Sequence, residues 1–300
     1  HCLSSAASDV YKRQYLSGLT LDFTKQGNPY KFGLIGSSDT HTGAGAFDEN
    51  NYWSKVGLLD GDPENRGSVP LAEENIDRLT EYMQAFNQPL STVDLKQGTY
   101  ANTGFTQWGA SGLAVAWAEE NTRESIFNAF RRKETFATTG TRIAVRFFGG
   151  YDLSSIDLNS DSLVSESYQK GVTMGADLMQ EDDKIPEFIV WAKKDKNGAP
   201  LQRVQIVKGW IDSNSGRPKE KVFDVACSDG NKVDPVTNRC PDNGAKVDIS
   251  DCSITDNVGS SELKTLWKDP EFSSLDKSFY YVRVLELSLI HISEPTRPYL

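Results

Sequence analysis

Asp39-Thr40-His41 places a carboxylate and an imidazole two residues apart, directly after the apolar residues Phe32, Leu34 and Ile35. An aspartate oxygen and a histidine nitrogen both suit a borderline divalent metal such as Zn, Mn or Fe. If the apolar run is a strand, the pair stands at its carboxyl end, where barrel and open α/β folds build their sites. Two ligands do not close a metal site. The competing reading is an Asx-turn or helix cap beside a surface histidine. Arg142, after Thr138-Thr139-Gly140, could meet an anionic substrate group or pair as a strand-edge cation with a carboxylate. Glu119 and Glu120 read as helix-start charges rather than as a catalytic acid and base. Trp53, Trp108 and Trp117 fit a cleft or ordinary packing equally well.

Three cysteines, Cys227, Cys240 and Cys252, fall in one polar stretch rich in Gly, Pro, Asn and Asp. A disulfide, free thiols or a metal are the alternatives there. The spacing matches no zinc knuckle, and clustering in a loop-rich segment favours a disulfide and an oxidising compartment, periplasmic or exported. Asp229-Gly-Asn-Lys-Val-Asp234 has oxygen donors at calcium-like spacing but lacks the later glutamate of an EF-hand loop. No Gly-x-Ser-x-Gly accompanies the serines near His41.

The elements that must position these groups follow from periodicity. Residues 15–25 read as the end of a helix, and Phe32–Ser37 as a strand. Residues 42–70 read as a long loop of the kind that covers sites. Glu73–Phe86 has helical spacing. Gly112–Ala118 reads as a short buried strand or turn, and Asn121 as the N-cap of a helix with Glu124 at its third position. That helix is expected to bury Ile126, Phe127, Ala129 and Phe130, with Arg131–Lys133 closing its last turn. Residues 141–148 then alternate as a strand. Beyond Gly149-Gly150 the runs at 188–192, 203–208, 221–226 and 278–285 are strand patterns. Asn197-Gly198 signals a hairpin between the first two. This predicts an all-β, sandwich-like part over 149–286.

The ends read differently. Ser4–Gln14 and Leu287–Pro298 match in-frame translations of the two arms of a transposon sequencing adapter. Residues 1–14 and 287–300 are therefore expected to be artefact. On that reading the native part is 15–286, the parent gene continues past both ends, and Cys2, His1 and His291 drop out of the chemistry. The formal net charge is −10, and about −11 without Asp9, Lys12, Arg13, Glu294 and Arg297. Such a balance argues against a nucleic-acid groove. Arg131-Arg132-Lys133 is assigned to a helix end rather than to an anion site. No apolar run is long enough to span a bilayer.

Three stretches together resemble one family, the domain-of-unknown-function family 3604. They are Asn28-Pro-Tyr-Lys-Phe-Gly-Leu-Ile-Gly-Ser-Ser-Asp-Thr-His-Thr-Gly43, Gly112-Leu-Ala-Val-Ala-Trp-Ala-Glu-Glu-Asn-Thr-Arg-Glu-Ser-Ile126 and Arg132-Lys-Glu-Thr-Phe-Ala-Thr-Thr-Gly-Thr-Arg-Ile143. Phe279-Tyr-Tyr-Val-Arg-Val-Leu-Glu286 matches close to the family's carboxyl end. The family resembles the PHP (polymerase and histidinol phosphatase) metal-dependent hydrolases. The resemblance implies an α/β fold in which 15–148 are the carboxyl-terminal part of a distorted β/α barrel. It also implies a divalent metal cluster with Asp39 and His41 as ligands, a role for Asp39 in holding the nucleophilic water, and a small-molecule ester-type substrate. The earlier histidine motifs of that superfamily are absent here, so the expectation is an inactive fragment of the hydrolase. The resemblance further implies a cysteine just past Glu286, a partner for the odd thiol. The alternative from another class is a non-catalytic module of an exported protein that binds carbohydrate or protein.

Overall fold

The computed structural model describes residues 3–36, 64, 69–96, 98–102, 112–181, 183–248, 253–255 and 257–287. Two compact units divide the chain. One comprises 1–34, 116–136 and 143–300, the other 35–115 and 137–142.

The larger unit is built on two antiparallel sheets. Strands β5 (Ala144–Gly150), β6 (Gly171–Thr173), β7 (Glu187–Lys193) and β12 (Glu262–Lys268) form one, in the order β12-β7-β5-β6. Strands β8 (Leu201–Ile211), β9 (Pro218–Cys227) and β13 (Lys277–Glu286) form the other, in the order β13-β8-β9. A separate two-residue pair, β10 (Val247–Asp248) with β11 (Ser253–Ile254), lies in the connection between β9 and β12.

Side chains on a strand alternate between faces, and both sheets use that period to fill one core. Phe188, Val190 and Ala192 of β7 meet Val204 and Ile206 of β8, Phe223 and Val225 of β9 and Leu263 of β12. Each fully buried residue of this kind contributes on the order of 1.5–3 kcal/mol. Ile189 and Trp191 point the other way, into a second cluster with Phe148, Leu153, Ile156 and Leu163. A 3₁₀ turn (Leu153–Ser155) and a helix at Leu163–Lys170 supply that outer cover. Helix α1 (Leu3–Phe23) lies on the far face of the three-stranded sheet. There Phe279 lies directly over Gly209, its register partner, whose added Cβ would come within 2.3 Å of the ring. The β-rich part is thus a sheet-on-sheet packing, and β5 runs through the 148/149 junction.

Asn197-Gly198 does not make a hairpin. Its flanking strands, β7 and β8, belong to different sheets, and neither turn residue has positive φ. The turn instead carries the chain across the sandwich. Both strands are apolar on the core side, so facing sheets bury more than a paired ribbon would.

In the smaller unit, helix α2 (Glu73–Ala85) packs Leu79 on Leu71 and Ala101, with Ile76 and Leu90 at the margin. Ala72 cannot cap this helix, and Glu64 substitutes by accepting from the Ala72 N–H (3.1 Å) and the Asn75 amide (2.8 Å). Strands β1 (Thr92–Leu95) and β2 (Gly98–Ala101) pair antiparallel. The β/α barrel expected for 15–148 is absent as a closed structure among the described residues. Barrel strands are buried on both faces, whereas β1 is exposed along its whole length, with Val93 and Leu95 among the exposed residues.

Candidate functional site

Asp39 and His41 lie outside the described residues, as do Trp53, Trp108 and Cys252. The approach to the pair is described through Gly36. Residues 31–36 form no strand, because side chains take the carbonyls that a ladder would use. The Tyr15 hydroxyl donates to the Phe32 carbonyl (3.0 Å), and its ring stacks on Phe32 at 5.3 Å. Lys133 Nζ donates to the Lys31 carbonyl (2.9 Å), and the Thr135 hydroxyl to that of Leu34 (2.5 Å). Gly33 is needed here, since a Cβ would stand 2.7 Å from that of Lys133. Burial pushes the Tyr15 phenol up to about 12, so it remains a donor at neutral pH.

Lys133 and Thr135 sit where helix α3 (Arg123–Arg132) ends and the short strand β4 (Thr135–Ala137) begins. The N-cap of α3 is Thr122, whose hydroxyl accepts from the Ser125 N–H (3.3 Å), one residue later than expected. Its buried positions are Ser125 and Ala129, while Phe127 and Phe130 are 59% and 47% exposed. Apolar spacing therefore gives the helix and the buried Ala129, but Phe127 and Phe130 stand off the buried face. Glu119 accepts from the Ser125 hydroxyl (2.9 Å) and pairs with Arg132 (2.9 Å). Its carboxyl is held below the usual range by its own backbone N–H first and by Ser125 next.

Lys133 closes α3 in the left-handed conformation (φ 61°) and turns Glu134 inward. Glu134 is buried, and its carboxylate gathers four partners. Thr173 Oγ1 (3.0 Å) and the Tyr168 hydroxyl donate to it, Arg146 Nη1 lies at 3.3 Å and Arg132 Nε at 3.5 Å. Burial and then the Glu134 hydrogen bond raise the Tyr168 phenol. Arg146 also lies 3.5 Å over the Trp117 ring, while the Trp117 indole N–H donates to the Val145 carbonyl (2.9 Å). Trp117 is thus a packing residue. This cluster links helix α3, strands β5 and β6 and the Leu163–Lys170 helix (α4). The Glu134 carboxylate is engaged within the cluster, which makes it the frame that carries Lys133 and Thr135 rather than a ligand cradle. Arg142 is exposed, between β4 and β5.

Of the three cysteines, Cys227 and Cys240 are joined, with Cα atoms 5.6 Å apart. Asp224 fastens the same region. It accepts from Cys240 N (2.8 Å) and Gln205 Nε2 (2.7 Å) and pairs with Arg203 and Arg239, each at 3.4 Å. The calcium-like segment is used structurally. Asp234 accepts from the N–H groups of Val236 and Thr237, and Asp229 from that of Gly259 and the Ser228 hydroxyl. Among the described residues no three His, Cys, Asp or Glu side chains group as a metal site, and no helix is long and apolar enough to cross a membrane.

Sequence reading missed Glu134, Arg146, Asp224, Lys208 and Asp269. For Lys208 and Asp269 the signal is a charge at a position that the strand period aims at the core.

A family model described as "Protein of unknown function (DUF3604)" matches residues 3–294, and the chain belongs to that family. No curated protein and no solved structure matches it.

Proposed function

We propose that this chain takes part in hydrolysis of an ester-type bond at a divalent-metal centre, with Asp39 and His41 as two of the ligands. The observation that carries the reading is the Asp-x-His spacing directly after a segment whose carbonyls are pinned by Tyr15, Lys133 and Thr135. Three side-chain hydrogen bonds over four residues hold the backbone that leads to the pair. Preorganisation of that kind suits a ligand set better than a freely varying surface turn. The donor chemistry, one carboxylate oxygen and one imidazole nitrogen, fits Zn, Mn or Fe at two positions. Asp48 and Glu49 are the nearest further carboxylates along the chain. A bound divalent ion supplies a Lewis acid and a more acidic water. Asp39 binds and orients, and His41 binds through one ring nitrogen, its other nitrogen requiring a partner that fixes the tautomer. The family's likeness to PHP hydrolases and its distorted barrel belong to this proposal. So does an exported or periplasmic location, which the Cys227–Cys240 bond supports.

The test is elemental analysis of the purified protein together with Asp39→Ala and His41→Ala, followed by a screen of phosphoester, carboxylester, carbamate and sulfate ester substrates. Bound Zn, Mn or Fe that falls with either substitution is the expected result, and any hydrolysis identifies the ester class. Metal content unaffected by both substitutions, or no metal, overturns the reading. It would also move carbohydrate or protein binding by the β-rich part to first place.

A further inference from the structure

The interior of the sandwich contains a lysine and an aspartate with no exposure at all. Lys208 and Asp269 are both 0% exposed in their side chains, with Nζ and Oδ2 2.5 Å apart. Strand period explains how they meet. Val204 and Ile206 face the core on β8, so Lys208 does too. On β12 Leu263 and Trp267 face the core, and Asp269 continues that row one residue past the strand end. Tyr280 is the direct cross-strand partner of Lys208.

The surroundings are those of an acyl-transfer site. The Lys208 amine is held against the carboxyl group and also donates to the Glu271 carbonyl at 2.7 Å. The Glu271 N–H donates to Asp269 Oδ1 at 2.9 Å, where negative charge would develop if Cγ were attacked. The Tyr280 hydroxyl donates to Oδ2 at 2.7 Å, the oxygen that would leave. Trp267, Phe223 and Phe188 wall the site: Tyr280 packs on Phe188 at 4.5 Å, and Trp267 on Phe223 at 5.2 Å. Burial, then Asp269, push the Tyr280 phenol far above its ordinary value, so it keeps its proton.

We propose that Lys208 and Asp269 condense spontaneously into an intramolecular isopeptide bond that ties the two sheets together. One ammonium proton passes to the carboxyl group, leaving a neutral amine and a neutral acid. The amine lone pair attacks Cγ, forming the N–C bond and placing charge on Oδ1, which the Glu271 N–H receives. Oδ2 departs as water, its C–O bond breaking as the second proton from nitrogen reaches it by way of the Tyr280 hydroxyl. The products are one amide and one water, with no oxidant, metal or cofactor needed. Two contacts preset the geometry, which is the principal advantage of an intramolecular reaction. Condensation also removes two buried charges, whose desolvation an ion pair offsets only in part.

Mass spectrometry of the full chain, denatured and with its disulfide reduced, tests this without any variant. The expected mass is lighter than the sequence by one water, with a branched tryptic peptide joining the segments around Lys208 and Asp269. Lys208→Arg, which keeps the charge pair, restores the full mass. Tyr280→Phe, which keeps both reacting groups, gives a mixture whose linked fraction grows slowly with time. A wild-type chain of full sequence mass whose Lys208 is acetylated after unfolding overturns the proposal. So does a water loss that maps elsewhere.

Discussion

Replacing Glu134 by alanine tests whether the frame behind the 31–36 approach is held by one buried carboxylate. Glu134 is 2% exposed in its side chain, and Arg146 is 20% exposed. The substitution leaves Arg146 without its buried counter-charge, and the Tyr168 and Thr173 hydroxyls without their acceptor. Breaking a buried ion pair from one side costs about 3–5 kcal/mol. Arg146 keeps its place over Trp117 and retains some access to solvent, so the expectation sits near the lower end, about 3 kcal/mol. For a unit of this size each kcal/mol moves the melting temperature by roughly 2–4 °C, so the midpoint should fall by about 6–12 °C. Urea unfolding followed by far-ultraviolet circular dichroism reads the free energy directly. Glu134→Gln keeps a carbonyl acceptor but no charge and should recover part of the loss. The double change Glu134→Ala with Arg146→Met should cost less than the sum of the two singles, because the stranded charge is gone. A Glu134→Ala protein within about 1 kcal/mol of the parent, or strict additivity in the cycle, would refute the reasoning.

Loss of the Cys227–Cys240 bond, which closes a separation of 13 residues, should cost about 3 kcal/mol. The check is the denaturation midpoint of a Cys227→Ser, Cys240→Ser protein, and an unchanged midpoint counts against a stabilising bond. Asp212 gives a pH prediction. The Lys219 ammonium first, then the Ser215 N–H, lower its carboxyl from 3.8 to about 2. A carboxyl depressed on folding stabilises above its unfolded value and stops doing so as pH falls towards the folded one. The 212–219 turn should therefore be firm above pH 4 and loosen between about 4 and 2. The carboxyl carbon shift of Asp212 followed by NMR should show that midpoint, and Lys219→Ala should return it towards the ordinary value. A midpoint near 4 in the parent contradicts the ion pair.

How much of this was legible in the sequence depends on whether one physical rule governed the segment. Glu73–Phe86 was read to within a residue of α2, because an apolar stripe and acidic first turn act together there. The strands at 188–192, 203–208, 221–226 and 278–285 were read from alternation, and all four exist. Which strands pair was not legible, since Asn197-Gly198 is a local signal and sheet choice is a long-range one. At 31–36 an apolar run ends as extended chain, because Tyr15, Lys133 and Thr135, distant in sequence, take its carbonyls. Phe127 and Phe130 show the converse error, since apolar type suggests burial there, while Ala129 is buried as expected and Ser125 unexpectedly joins it.

Lys208 and Asp269 are hard to see in the sequence for a reason that the sandwich makes explicit. An apolar run invites the reader to stop at its first charged residue and begin a loop there. Lys208 follows Val204, Ile206 and Val207, and Asp269 follows Leu263 and Trp267. Lys208 ends its run in composition but continues it in register, while Asp269, behind Lys264 and Lys268, follows a strand whose charges hide it. Carrying the period of two through the charge places Lys208, Asp269 and Tyr280 on one inward face before any contact is known. A buried charge is costly unless paired. Two opposite charges predicted to face the same interior are therefore predicted to meet, and what the pair does follows from which donors surround it. That inference needs only strand register and facing sheets, and it singles out the Lys208–Asp269 contact.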